Sequence, residues 1–254
     1  MITDRFTARR SLLLPVFVVL AAGSEVRAQS LPQAREIVDR YVDAVGGEAA
    51  LRRHTSWKAQ GRFSVPASGL AGELEAYQAP GRMFARINIP GIGELLRGYD
   101  GTVGWSMNPL EGPRILDGPE LAQTREELSR GATLRDSTVV SSLQTLEKTT
   151  MNGEECWKVK VVWKSGRESI DCYSVSSALL IATEGKTTTP MGEFQYTTDI
   201  HDYKQFGDVR IATRVVQRAL GQEQVVTTES VQFGPVDAAL FALPEPIKAL
   251  VRPG

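Results

Sequence analysis

The chain has 254 residues, with 29 basic and 30 acidic side chains and a net charge near -1. The two signs are interspersed, which excludes the clustered positive surface that displaces counterions from nucleic acid. No basic amphipathic helix suited to a membrane surface is present either.

The N-terminus carries the first strong signal. Arg5, Arg9 and Arg10 precede an apolar run from Leu12 to Ala22, and Val26-Arg27-Ala28 follows. A basic segment, a short apolar run and a small-x-small site make a secretory signal peptide, 1–28, cleaved after Ala28. The apolar run has eleven residues, whereas crossing a bilayer takes about 20. No cysteine lies near the cleavage site, so the mature protein is expected to be exported to the periplasm or beyond without a lipid anchor. Four basic and two acidic side chains fall in the signal, leaving 25 against 28 and a net charge of -3. Residues 29–254 suit a single all-β sandwich or barrel.

The mature chain opens with a helix. Ala34, Ile37, Val38, Tyr41, Val42 and Val45 recur at three- and four-residue spacings, and Gly46-Gly47 stops them. From Trp57 the period becomes two, giving a strand to Val65. Further strands are expected at 72–78, 83–89, 93–99 and 103–107, punctuated by Pro80-Gly81, Pro90-Gly91 and Asp100-Gly101. Asn108 to Gly118 reads as a loop and Pro119 to Ser129 as a helix, with Pro119 in its first turn. Arg135 to Leu146 fits helix and strand equally. After Asn152-Gly153, a hairpin dipeptide, strands are expected at 157–163, 168–174, 194–203, 209–220 and 224–233. The pattern is mainly β (α+β): a half-open antiparallel barrel of about ten strands, with two or three helices covering its concave face.

Cys156 and Cys172 lie in adjacent strands, and cysteines in an oxidising compartment usually pair. The alternative is two small buried apolar side chains.

Motifs for chemistry are sparse. His54 and His201 lack a second ligand at metal spacing, so no metal site and no cofactor is expected. The nucleophile elbow, the Ser-x-x-Lys pair and the phosphate loop are absent. Asp199, His201 and Tyr203 alternate on one strand, which reads as an acid–base cluster or, more simply, as a polar row facing water. Glu73 and Glu75 also share a face, as paired carboxylates or as a solvated surface. The apolar residues say more. Trp57, Phe63, Met83, Ile87, Ile89, Trp105, Trp157 and Trp163 are candidates to line an apolar hollow, or else they fill a core.

Four stretches together resemble a known family. They are the opening helix 34–47; Gly98-Tyr99-Asp100-Gly101 with Gly104-Trp105-Ser106; Thr189-Pro190-Met191-Gly192; and the C-terminal run from Val231 to Pro244. The ensemble resembles the LolA-like group of periplasmic proteins, which includes outer-membrane lipoprotein-sorting proteins and their mycobacterial relatives. The resemblance implies a half-open barrel with helices over its mouth and an apolar cavity for acyl chains. It implies a non-catalytic carrier of lipid or lipid-modified protein, with lipid chains or lipoproteins as partners and a membrane protein as donor or acceptor. The carriers proper are shorter, and the extra sequence between Asn108 and Leu146 is expected to form a lid or to fill the hollow. The other readings are an envelope interaction protein with a filled barrel, and a hydrolase built on His201.

Overall fold

The computed structural model describes residues 30–129, 137–189 and 192–251. The signal segment 1–28, its cleavage site and the Pro190-Met191 pair lie outside the described residues.

Two helices lead, α1 (Ala34–Ala44) and α2 (Gly47–Arg53). Six strands follow: β1 (Trp57–Val65), β2 (Leu70–Ala79), β3 (Arg82–Ile89), β4 (Gly93–Tyr99), β5 (Gly104–Asn108) and β6 (Gly112–Leu116). Helix α3 (Gly118–Ser129) leads to β7 (Val140–Met151), β8 (Glu154–Trp163), β9 (Glu168–Ser174) and β10 (Leu180–Thr189). Then come β11 (Gly192–Phe206), β12 (Val209–Ala219), β13 (Gln222–Phe233) and a one-turn helix, α4 (Glu245–Lys248). The strands form one antiparallel sheet of thirteen, in the order β6-β5-β4-β3-β2-β1-β13-β12-β11-β10-β9-β8-β7. Strands β6 and β7 are its edges, so the sheet is open and does not close into a barrel.

The expectation of about ten strands is corrected to thirteen, for identifiable reasons. Strand β6 contains Pro113 and reads as a loop, but proline is tolerated in an edge strand, where one side needs no donor. Strand β7 is the other edge and is largely exposed, so its apolar alternation is weak. Strand β10 is buried from Leu180 to Thr183 and polar beyond, which hides its period.

Both faces of the sheet are occupied. Following the pairings across the sheet, Val159, Asp171, Thr183, Thr198 and Gln217 share one face with Phe63, Leu74, Ile87 and Leu95. Helix α1 buries Ile37, Val38 and Ala34 on this face, against Val159, Val161, Trp163 and Tyr173. Ile37 and Val38 each contribute about 2 kcal/mol of burial. Helix α3 lies on the same face. Leu121 reaches Gly104 so closely that a Cβ there would stand 2.8 Å from its Cδ1; only glycine admits the helix. The other end of α3 meets the β8–β9 hairpin through Glu126 and Arg167, 2.5 Å apart. A single helix touches both arms of the sheet, so this face is the inside of a curl.

The outer face has its own cover. Phe84 and Trp105 pack with Phe241 and Ile247 of the C-terminal segment. Asp237 caps that segment by accepting from the Ala239 N–H at 2.9 Å. Cys156 and Cys172 are disulfide-bonded on the outer face, buried with Ile181 and Ala182.

Candidate functional site

The inner face of the central strands is apolar and incompletely covered. Leu74 pairs with Ile87, and Ile87 with Leu95. Phe63 pairs with Val226, and Val226 with Val215. Leu74, Ile87, Leu95, Val215 and Val226 are all half-buried, and none belongs to the three buried clusters of the described residues. A filled core would bury such side chains almost completely. The rows face a curve tightened at Gly61. The β1–β13 register shifts there, and a Cβ on Gly61 would sit 1.9 Å from the Thr227 carbonyl oxygen. A bulge with glycine is how a sheet bends sharply while keeping its pairing.

The eight residues singled out from sequence divide into groups. Trp57, Met83 and Ile87 are half-buried on the inner face. Phe63 and Ile89 lie on the same face and are buried. Trp157 and Trp163 belong to the cluster beneath α1. Trp105 points to the opposite face, under the C-terminal segment. Leu74, Leu95, Val215 and Val226 join the inner rows unannounced. Their signal was the period-two register itself, since each lies across from a residue already on that face.

The segment between Asn108 and Leu146 supplies α3, which is held by polar contacts. Arg114 donates to both carboxylate oxygens of Glu120, at 2.6 and 2.8 Å. Arg97 donates to the Thr124 hydroxyl at 2.7 Å, and Arg125 to the Tyr99 hydroxyl at 3.0 Å. Glu126 accepts from Ser165 and Arg167, and Arg167 lies 5.0 Å above the Trp163 ring. Between α3 and the ends of β9 to β11 lies a cleft of about 870 Å³. Its walls mix Ala122, Ile170 and Tyr196 with Arg167, Glu184 and Lys186, and none of the eight candidates lines it.

The Asp199, His201 and Tyr203 row is engaged piecemeal. Asp199 accepts from Arg218 at 2.5 Å and from Asn152 at 3.1 Å. Burial opposes its ionisation, but those bonds outweigh it and hold its pKa below the ordinary carboxylate value. Tyr203 donates to the Leu180 carbonyl at 2.9 Å, and burial, with Tyr41 nearby, pushes its pKa up. Glu75 is 3.7 Å from Arg86. His54 stacks on Phe233 at 4.1 Å and bonds Asp208, whose pKa is lowered first by that bond.

A curled antiparallel sheet with helices on its inner face defines a LolA-like fold, and solved structures share it. A LolA superfamily protein from Nitrosomonas europaea superposes with a TM-score of 0.56 at 13% identity, covering 84% of this chain and 99% of that one. A DUF1329 family protein from Desulfovibrio piger gives 0.55 at 10% identity, over 83% and 98%. A putative outer membrane lipoprotein-sorting protein domain from Vibrio parahaemolyticus gives 0.51 at 14% identity, over 81% and 94%. At these identities the likeness is one of fold. No protein-family model matches the sequence, and no curated protein matches it.

Proposed function

We propose that the protein is an exported, non-catalytic carrier or binding protein for lipid, or for the acyl chains of a lipid-modified protein, held against the inner face of the sheet. The observation that carries this reading is the half-buried apolar rows through Leu74, Ile87 and Leu95 and through Val226 and Val215. Each methylene removed from water there contributes about 0.8 kcal/mol. A chain with ten methylenes shielded gains about 8 kcal/mol before the cost of association. Such binding needs no polar motif, which agrees with a sequence sparse in catalytic signatures. The LolA-like fold supports the same reading. Trp57, Met83 and Ile87 are ligand contacts, joined by Leu74 and Leu95. A membrane protein is the expected donor or acceptor.

Residues 1–28 direct export in this proposal. N-terminal sequencing of the secreted protein should begin at Gln29, and a retained N-terminus would refute cleavage there. Native mass spectrometry of the 29–254 protein should show co-purifying lipid, and a fluorescent fatty acid should bind. Leu74→Asp combined with Ile87→Asp should weaken that binding by at least about tenfold. A bare mass together with no fatty-acid response would overturn the carrier reading.

A further inference from the structure

The turns at one end of the sheet differ in chemistry between its two arms. Ser64 faces Val225, Val65 faces Leu70, Ile89 faces Gly93 and Asn108 faces Gly112. Turns 66–69, 90–92, 109–111 and 220–221 therefore hang from one end. They read Pro-Ala-Ser-Gly, Pro-Gly-Ile, Pro-Leu-Glu and Leu-Gly, with Glu111 as their one charged residue. On the other arm of the sheet, the β8–β9 turn at the same end carries Lys164 and Arg167.

The two most exposed large apolar side chains among the described residues sit on two of the first four turns. Leu110 is 90% exposed and Leu220 is 60% exposed. Leu110 is presented by an ordered tip. The Asn108 side-chain oxygen accepts from the Leu110 and Glu111 N–H groups at 2.9 and 2.8 Å. The Asn108 amide ties Glu111 at 3.0 Å. Leu220 has φ +54 and Gly221 φ +72. Both turn positions are left-handed, a conformation suited to Asn or Gly and poor for leucine. Local stability therefore does not explain leucine at this position. The flanking charges are paired with each other, Arg218 with Glu223 at 3.0 Å.

We propose that the turns 66–69, 90–92, 109–111 and 220–221 form a membrane-docking rim, in which Leu110 and Leu220 insert into the headgroup–acyl boundary of a lipid bilayer. Separate protruding tips suit a fluid interface, which closes around each one, better than the matched flat surface of a protein partner. The apolar rows of the inner face continue towards the same end. Phe63, Leu70, Ile89 and Leu95 lie on the halves of β1 to β4 nearest these turns. A docked molecule would hold that face open to the membrane. The purpose of docking rests on the carrier reading; the docking itself does not.

The test is flotation of the 29–254 protein with neutral phosphatidylcholine vesicles. The protein should float, and raising salt to about 1 M should change little, because no exposed charge pairing drives the contact. Leu110→Ser with Leu220→Asn should lower the bound fraction about tenfold. Asn suits the left-handed turn, so this variant should keep its thermal midpoint. Leu31→Ser with Leu250→Ser, exposed leucines elsewhere, should float normally. A wild-type protein that stays in the soluble fraction overturns docking. So does a rim variant that floats undiminished, or an equal loss in the control variant. Fatty-acid uptake, read on the same samples, reports the carrier proposal separately.

Discussion

Helices α1 and α3 lie on the same face of one sheet but are held by opposite chemistry. Helix α1 buries Ile37, Val38 and Val42 to within 2% of full burial. The two fully buried or nearly buried positions of α3 are Thr124 and Glu126, and its anchors are Arg97, Arg114 and Arg167. Apolar burial is non-directional and contributes in proportion to area, so α1 is part of what makes the sheet fold. Ion pairs return little net free energy beyond their desolvation, so α3 is fixed in place without much adding to global stability. One helix is a wall, and the other is a fitted cover.

Breaking each helix should expose the contrast. Val38→Asp places an unpaired charge beneath α1, and no folded protein is expected by circular dichroism. Replacing both Cys156 and Cys172 by alanine, at a distance from either helix, releases the outer face of the packed arm. Urea denaturation should show a loss of about 3 kcal/mol, as for a cross-link closing a loop of this length. Glu126→Gln leaves Arg167 without its charge partner and should cost about 2 kcal/mol. Here amide exchange should quicken in α3 while α1 stays protected; equal loosening of both helices would erase the distinction drawn above.

The smallest effect concerns acid. Asp208, bonded by His54 and facing Arg53 at 2.9 Å, has its pKa held below the unfolded value. Its contribution is therefore complete above about pH 4 and is lost as pH falls through the depressed folded value. Asp208→Asn should flatten the decline in urea midpoint between about pH 4 and pH 2, and change little of the slope at neutral pH. An unchanged acid limb would show that the hairpin tip bears none of this linkage.

Much of this arrangement is visible in the residues. The α1 stripe, ten of the strands and the helical reading of 119–129 follow from periodicity, and the cysteine pairing is expected from an oxidising compartment. The strands that escape notice are the two edges and β10, where pairing or neighbours, not pattern, decide the structure. The site was half legible for a similar reason. Tryptophans draw attention by size, but Trp105 faces the C-terminal segment and Trp163 lies under α1. Leu74, Leu95, Val215 and Val226 are inconspicuous residues that only the register places on the inner face.

The sequence by itself determined an apolar stripe on the first helix, alternating strands and glycine- or proline-bearing turns, because those depend on spacing within a few residues. Only the tertiary structure decided which face curls inward, which helix is held by oil and which by charge, and that Leu110 and Leu220 share one end. These depend on pairings between strands far apart in the chain, where register assigns every side chain its side.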